Sequence, residues 1–156
     1  MERIYLATPI STEGEKQWSK ALAEIIRTIG YEVYAAADND EINDKSNNPT
    51  PKDIYIGDIE EIKKADIIVA NITGGLADGT ISEIGFVGGW NEANRGQAKE
   101  LIAFSSNERL NQPQFYKGIA SAGANHLVLG IIDKEGKFVG DTDDLLLYLK
   151  ERRQCI

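Results

Sequence analysis

The chain has 156 residues, 42% of them apolar and 27% charged, which suits one globular domain with its own core and excludes a fibrous, disordered or multidomain protein. Acidic residues outnumber basic ones 25 to 17, for a formal charge of -8; such a surface repels phosphate backbones and anionic lipids, so neither a nucleic acid nor a membrane is the expected partner. One cysteine, Cys155, and one histidine, His126, rule out an internal disulfide framework, a cysteine-rich zinc site and a multi-histidine metal centre. Chemistry carried by carboxylates, with no metal or cofactor, is the expectation. No apolar stretch has the length of a signal or membrane span, which makes the cytoplasm the expected compartment.

In chain order, Arg3 to Thr8 reads as a buried strand stopped by Pro9. Trp18, Leu22, Ile25, Ile26 and Ile29 then recur with a helical period, and Gly30 stands where a left-handed cap is wanted, which predicts a helix over Glu13 to Ile29. Tyr31 to Ala36 reads as a second strand, and the polar segment Asp38 to Asn48 as an exposed loop of the length that usually serves function. Thr50-Pro51-Lys52-Asp53 opens a helix that runs to about Ala65: a threonine cap, proline in the first helical position and an acid three residues after the cap. Asp66 to Ala70 is a third strand, and the glycine-rich segment from Asn71 to Thr80 leads into a helix over about Ile81 to Ala93. Leu101 to Phe104 and Asn125 to Ile132 read as strands four and five. Thr142 to Arg153 is the last helix, with Asp143 and Asp144 in its first turn and Lys150, Arg152 and Arg153 in its last, both matching the helix dipole.

Apolar runs alternating with helices predict an α/β fold, a doubly wound five-stranded parallel sheet with helices on both faces, built from the whole chain as one domain. In such sheets ligands bind beyond the carboxyl ends of the strands. The walls of the candidate site are therefore Tyr5 to Thr12, Asn71 to Glu83 and Ser105 to Asn125.

Two carboxylates stand out within or beside those walls. Tyr55, Asp58, Ile59 and Ile62 share one helix face. Asp58 is thus either a carboxylate on the apolar side, which must be paired, protonated or aimed at a cavity, or an acid at the edge of the stripe that reaches water. Glu83 follows the glycine-rich turn. Thr80-Ile81-Ser82-Glu83 has the form of a capping box, which would occupy the glutamate with backbone. Against that, Gly79, Gly85, Gly88 and Gly89 weaken a helix by about 1 kcal/mol each in its interior, a cost that the close approach of backbone or ligand explains. Gly74-Gly75 is a candidate phosphate cradle, although no Gly-Lys-Ser/Thr follows and the spacing is not the dinucleotide fingerprint. Asp78, on local grounds, is a turn residue.

Ile4-Tyr5-Leu6 in strand one, Asp58 eight residues before Asp66, and the run Asp78-Gly79-Thr80-Ile81-Ser82-Glu83-Ile84-Gly85 resemble the nucleoside 2-deoxyribosyltransferases. The likeness follows the order of elements over most of the chain. It implies a flavodoxin-like fold and exchange of the base of a 2′-deoxyribonucleoside: Glu83 attacks the anomeric carbon, a covalent deoxyribosyl-glutamate forms, and a second base displaces it with overall retention. The resemblance further implies that Tyr5 orients Glu83, that Asp58 handles the proton of the departing base, and that Asp78, Gly79 and Thr80 contact the substrate. Asn125 corresponds to an asparagine that a neighbouring subunit donates to the 5′-hydroxyl, so the expected working form is a homo-oligomer; His126 beside it is structural. One position departs from the pattern: the aspartate expected two residues before the glycine is Ala77, with Asp78 one residue closer.

Two other readings use the same residues. One is hydrolysis of deoxynucleoside 5′-monophosphates, disfavoured because the loop after strand one lacks arginine and Asp78 repels phosphate. The other is a nucleoside or nucleotide sensor without turnover, which has no use for a nucleophile. An interaction module working through the Asp38 to Asn48 loop would be indifferent to Glu83.

Overall fold

The computed structural model describes residues 1–43, 45–73, 77–108, 110–111, 115–116, 119–120 and 124–155. Gly74 and Gly75, the candidate phosphate cradle, lie outside them. The elements run β1 (Arg3–Ala7), α1 (Glu13–Ile29), β2 (Glu32–Ala35), α2 (Asp40–Asn43), α3 (Pro51–Lys64), β3 (Ile67–Asn71), α4 (Asp78–Ala93), β4 (Glu100–Phe104), β5 (Phe115–Tyr116), β6 (Ile119–Ala120), α5 (His126–Glu135), β7 (Gly136–Phe138) and α6 (Thr142–Gln154). Five strands form an all-parallel sheet in the order β2-β1-β3-β4-β7, while β5 and β6 make a separate antiparallel pair. This is the flavodoxin-like α/β fold, and its strand order reverses beside β1.

Local chemistry accounts for the element boundaries. The Thr12 hydroxyl accepts from the Glu15 N–H while the Glu15 carboxylate accepts from the Thr12 N–H, and Gly30 closes the same helix at φ +107°. Thr50 and Asp53 make the same reciprocal cap on α3, with Pro51 in its first turn, and Asp141 caps α6 together with Asp144.

Period-two alternation divides the buried strand residues between two cores. Ile4, Leu6, Ile67, Val69, Ile102 and Phe104 pack with Leu22 and Ile26 of α1 and Leu145 and Leu149 of α6. Tyr5, Ala7, Ile68, Ala70, Leu101 and Ala103 pack on the other side with Ile62 of α3, Ile84 and Val87 of α4, and Val128 and Ile132 of α5. The pleat therefore puts Tyr5 on the face that carries α3 and α4.

Two expectations need correction. The segment from Asn125 to Ile132 is not the fifth strand: the Asn125 side chain caps α5 by accepting from the Leu127 N–H, Val128 and Ile132 are buried four residues apart, and Leu127 is 75% exposed. A short apolar run reads equally as strand or helix, and here the buried pair has the helical spacing. The fifth strand follows at once, at Gly136. A Cβ there would lie 1.6 Å from the Leu101 carbonyl oxygen, so only glycine lets the chain pass from helix to sheet without a loop.

The second correction concerns α4, which begins at Asp78, three residues before the expected start. The polar segment after β2 is also more ordered than a plain loop. It holds α2 and two 3₁₀ turns, and the Asn43 side-chain amide donates to the Ala36 and Ala37 carbonyls at 2.8 and 3.2 Å. Among the described residues no helix is long and apolar enough to cross a membrane.

Candidate active site

A cavity of about 220 Å³ opens at the carboxyl edge of the sheet. Its walls come from the loop after β1 (Thr8 to Ser11), from Ala36 after β2, from Ile54 and Asp58 of α3, and from Ala77 to Thr80 and Glu83 at the start of α4. The structure thus brings together Asp58, Asp78, Gly79, Thr80 and Glu83, five of the seven predicted site residues. Tyr5 reaches Glu83 from the core below.

Tyr5 is fully buried, and its hydroxyl donates to the Glu83 carboxylate. This contact settles the capping-box question. Because α4 starts at Asp78 with Ala77 in the cap position, Glu83 lies too deep in the helix to serve its N-terminus, and its carboxyl turns to the sheet instead. The earlier start follows from what precedes it: Ala77 is buried, and its carbonyl accepts from the Ile81 N–H at 2.9 Å. Asp58 projects from the apolar side of α3 into the same cavity, so of the two readings of its spacing the cavity-facing one holds.

Burial dominates the electrostatics. It pushes the Glu83 carboxyl up to about 8, with the nearby Asp58 charge adding to the effect and the Tyr5 hydrogen bond opposing it. Burial also raises Asp58 above the ordinary aspartate range, again against the influence of the Tyr5 hydroxyl. Tyr5 itself is held firmly protonated, first by burial and then by the two carboxylates. Burial thus favours the protonated form of both carboxyls, and the Tyr5 hydroxyl works against it at each.

The first turn of α4 has donors to spare. Ala77 supplies no side-chain cap, and the Thr80 hydroxyl, in a residue only 3% exposed, has no hydrogen-bond partner among the described residues. Asp78 is exposed and accepts from the Gly79 N–H at 3.0 Å. Asn125 does not line the cavity. Its oxygen is occupied with the cap of α5, and the neighbouring His126 and Leu127 border a different, mostly apolar depression of about 410 Å³ between α4 and α5.

One residue at the site escaped the sequence reading. Tyr34 of β2 lies opposite Tyr5 in the strand register, and the two rings stack at 5.4 Å with 23° between their planes. Only the strand pairing reveals it.

Two half-buried carboxyls, Asp58 and Glu83, thus face one cavity over the switch point of a doubly wound sheet. The model of the nucleoside 2-deoxyribosyltransferase family matches residues 4–128, and the chain belongs to that family. Family membership makes it an enzyme of the nucleoside deoxyribosyltransferase type, acting on small-molecule nucleosides. The conserved protein of Enterococcus faecalis V583 is similar in structure, with a TM-score of 0.77 at 25% identity over 97% of this chain and 99% of its own. A 2-deoxyribosyltransferase from Bacillus psychrosaccharolyticus shares the fold, with a TM-score of 0.57 at 21% identity over 92% of this chain and 90% of its own. No curated protein matches the sequence.

Proposed function

We propose that the protein exchanges the base of 2′-deoxyribonucleosides by double displacement at Glu83. The Glu83 carboxylate attacks C1′, the C1′–N bond breaks, and its electron pair leaves on the base nitrogen, which takes a proton from Asp58. A deoxyribosyl ester on Glu83 results. An incoming base then attacks C1′ from the side the first base left, returns its proton to Asp58 and releases Glu83, so two inversions give net retention. Tyr5 holds the attacking carboxylate in line through its hydroxyl.

The observation that carries this reading is the Tyr5 hydroxyl on Glu83 with Asp58 facing the same cavity. Asp78, Gly79 and Thr80 take the 5′ end of the sugar, the buried Thr80 hydroxyl supplying a donor that nothing among the described residues uses. Because the Asn125 side chain is turned away into the cap of α5, a contribution from it requires the cavity of a second copy, and we take the working form to be a homo-oligomer. No cofactor enters any step.

The uncapped start of α4 also favours a second reading, hydrolysis of deoxynucleoside 5′-monophosphates, since free N–H groups at a helix N-terminus suit a phosphate. One experiment separates the two. Purified protein is incubated with 2′-deoxyinosine, with and without adenine, and the products are followed by chromatography beside Glu83→Ala. Deoxyadenosine from the wild type alone supports exchange through Glu83. Hypoxanthine released at one rate regardless of adenine means hydrolysis, and turnover of deoxyinosine monophosphate alone moves the assignment to the phosphorylated substrate.

A further inference from the structure

The Tyr5 hydroxyl has a single proton to donate and influences two carboxyls: it bonds Glu83 and also favours the ionised form of Asp58. Base exchange needs them to differ, with Glu83 ionised to attack and Asp58 protonated to release the base. How readily Glu83 ionises therefore depends on the Tyr5 hydroxyl staying on it, and that depends on what holds the Tyr5 ring.

On β1, Tyr5 stands between two register partners, Tyr34 on β2 and Ile68 on β3. Ile68 belongs to the buried core and offers an aliphatic wall. Tyr34 offers a face: its ring lies 5.4 Å from that of Tyr5 at 23°. Tyr34 is itself anchored, since the Asn39 side-chain amide donates to its hydroxyl at 3.2 Å. Asn39 leads into α2 in the long polar segment after β2, and the Asn43 side chain ties that segment to the Ala36 and Ala37 carbonyls. A stretch with no part in the chemistry thus holds the ring that holds Tyr5.

We infer that Tyr34 is a positioning residue: by stacking on Tyr5 it keeps the Tyr5 hydroxyl on Glu83, and so favours the ionised form of that carboxyl against its burial. The inference rests on the assignment of Glu83 as nucleophile and Asp58 as acid. The charged and titratable groups around Glu83 are Tyr5 from β1, Tyr34 from β2, Asp58 from α3 and, lining the same cavity, Asp78 of its own helix. Those around Tyr34 are Asp58 and Glu61 of α3 and Glu83 of α4. Apart from the two tyrosines these groups are carboxylates, so among the described residues it is the Tyr5 hydroxyl that favours an ionised Glu83, and its aim matters.

The test is a pH titration of the Glu83 side-chain carboxyl by carbon-13 NMR in protein labelled at glutamate, the resonance being identified by its loss in Glu83→Gln. In Tyr34→Val, which keeps a good strand former but no ring, Glu83 should hold its proton about threefold more tightly or beyond. In base exchange, kcat should fall by about three- to tenfold with KM within about twofold. Tyr34→Phe keeps the stack and should leave both readings within about twofold of wild type. Tyr34→Met fills the space with an unbranched chain and should behave like the valine variant, so failure of one variant to fold does not remove the test. A Glu83 titration in Tyr34→Val or Tyr34→Met identical to wild type overturns the inference, as does a Tyr34→Phe that shifts as far as they do. If Glu83 titrates as expected in all variants while wild type exchanges no base, the positioning role stands and the transferase assignment falls.

Discussion

Replacing Glu83 with glutamine removes one charge and keeps the shape, because the amide oxygen still accepts from Tyr5. Its effect on stability follows from where the glutamate proton sits. The folded carboxyl is pushed up to about 8 from an ordinary 4.5. Below pH 4.5 both folded and unfolded chains carry the proton and the charge contributes nothing. As pH rises from there towards 8 the unfolded chain releases its proton while the folded chain retains it, so wild-type stability declines across that window and levels off above it. At about 1.4 kcal/mol per pH unit the loss by pH 7 comes to about 3.4 kcal/mol, and water entering the open cavity screens it to about 2 kcal/mol. Glutamine has no proton to lose. Glu83→Gln should therefore be more stable than wild type by about 2 kcal/mol at pH 7, slightly more at pH 8, and equal to it near pH 4.5, as read from urea midpoints across that range with the slope unchanged. A variant no more stable than wild type at pH 8, or an advantage that persists undiminished at pH 4.5, would refute the claim that Glu83 is a desolvated acid.

Two other substitutions probe different parts of the molecule. Asp58→Asn removes the group assigned to the departing base; turnover of deoxyinosine should fall by about 10² to 10⁴, whereas a deoxyriboside with a leaving group that needs no proton should lose far less, and equal losses on both would remove Asp58 from that role. Gly136→Ala places a methyl group 1.6 Å from the Leu101 carbonyl oxygen; the β4–β7 pairing must give way at a cost of about 3 kcal/mol or more, visible as a drop in Tm on the order of 6 to 12 °C, and an unchanged Tm would show that the passage from α5 to β7 has slack.

The sheet was legible because its three central strands, β1, β3 and β4, are buried on both faces and so read as unbroken apolar runs, Ile4 to Ala7 and Ile67 to Ala70 among them. Helix α1 was legible from its apolar stripe and Gly30, α3 from its cap, and α6 from the charges in its end turns. Strand β7 was not, since three residues with Lys137 and Phe138 exposed carry no period to detect. Helix α5 was misread for the complementary reason: its apolar residues are dense enough to hide which of them face the core. At the site, Asp58 betrayed itself by standing in an apolar stripe. Glu83 was ambiguous on local grounds, because a capping box and a carboxylate turned towards the sheet share one spelling and only the Tyr5 contact, 78 residues distant in sequence, separates them. Tyr34 had no local signal at all. Its relation to Tyr5 exists only once β2 has paired with β1 in a register that no short window of sequence encodes.

Tyr5 belongs to β1, which is hydrogen-bonded to strands on both sides and packed between two cores. An element so placed opens only when the whole sheet does, in the slowest class of hydrogen exchange. The hydroxyl that steadies Glu83 therefore has no private mode of failure. Heat or denaturant should loosen its strand only together with the fold. The Tyr5–Glu83 contact and global cooperativity are, at this residue, a single thermodynamic quantity.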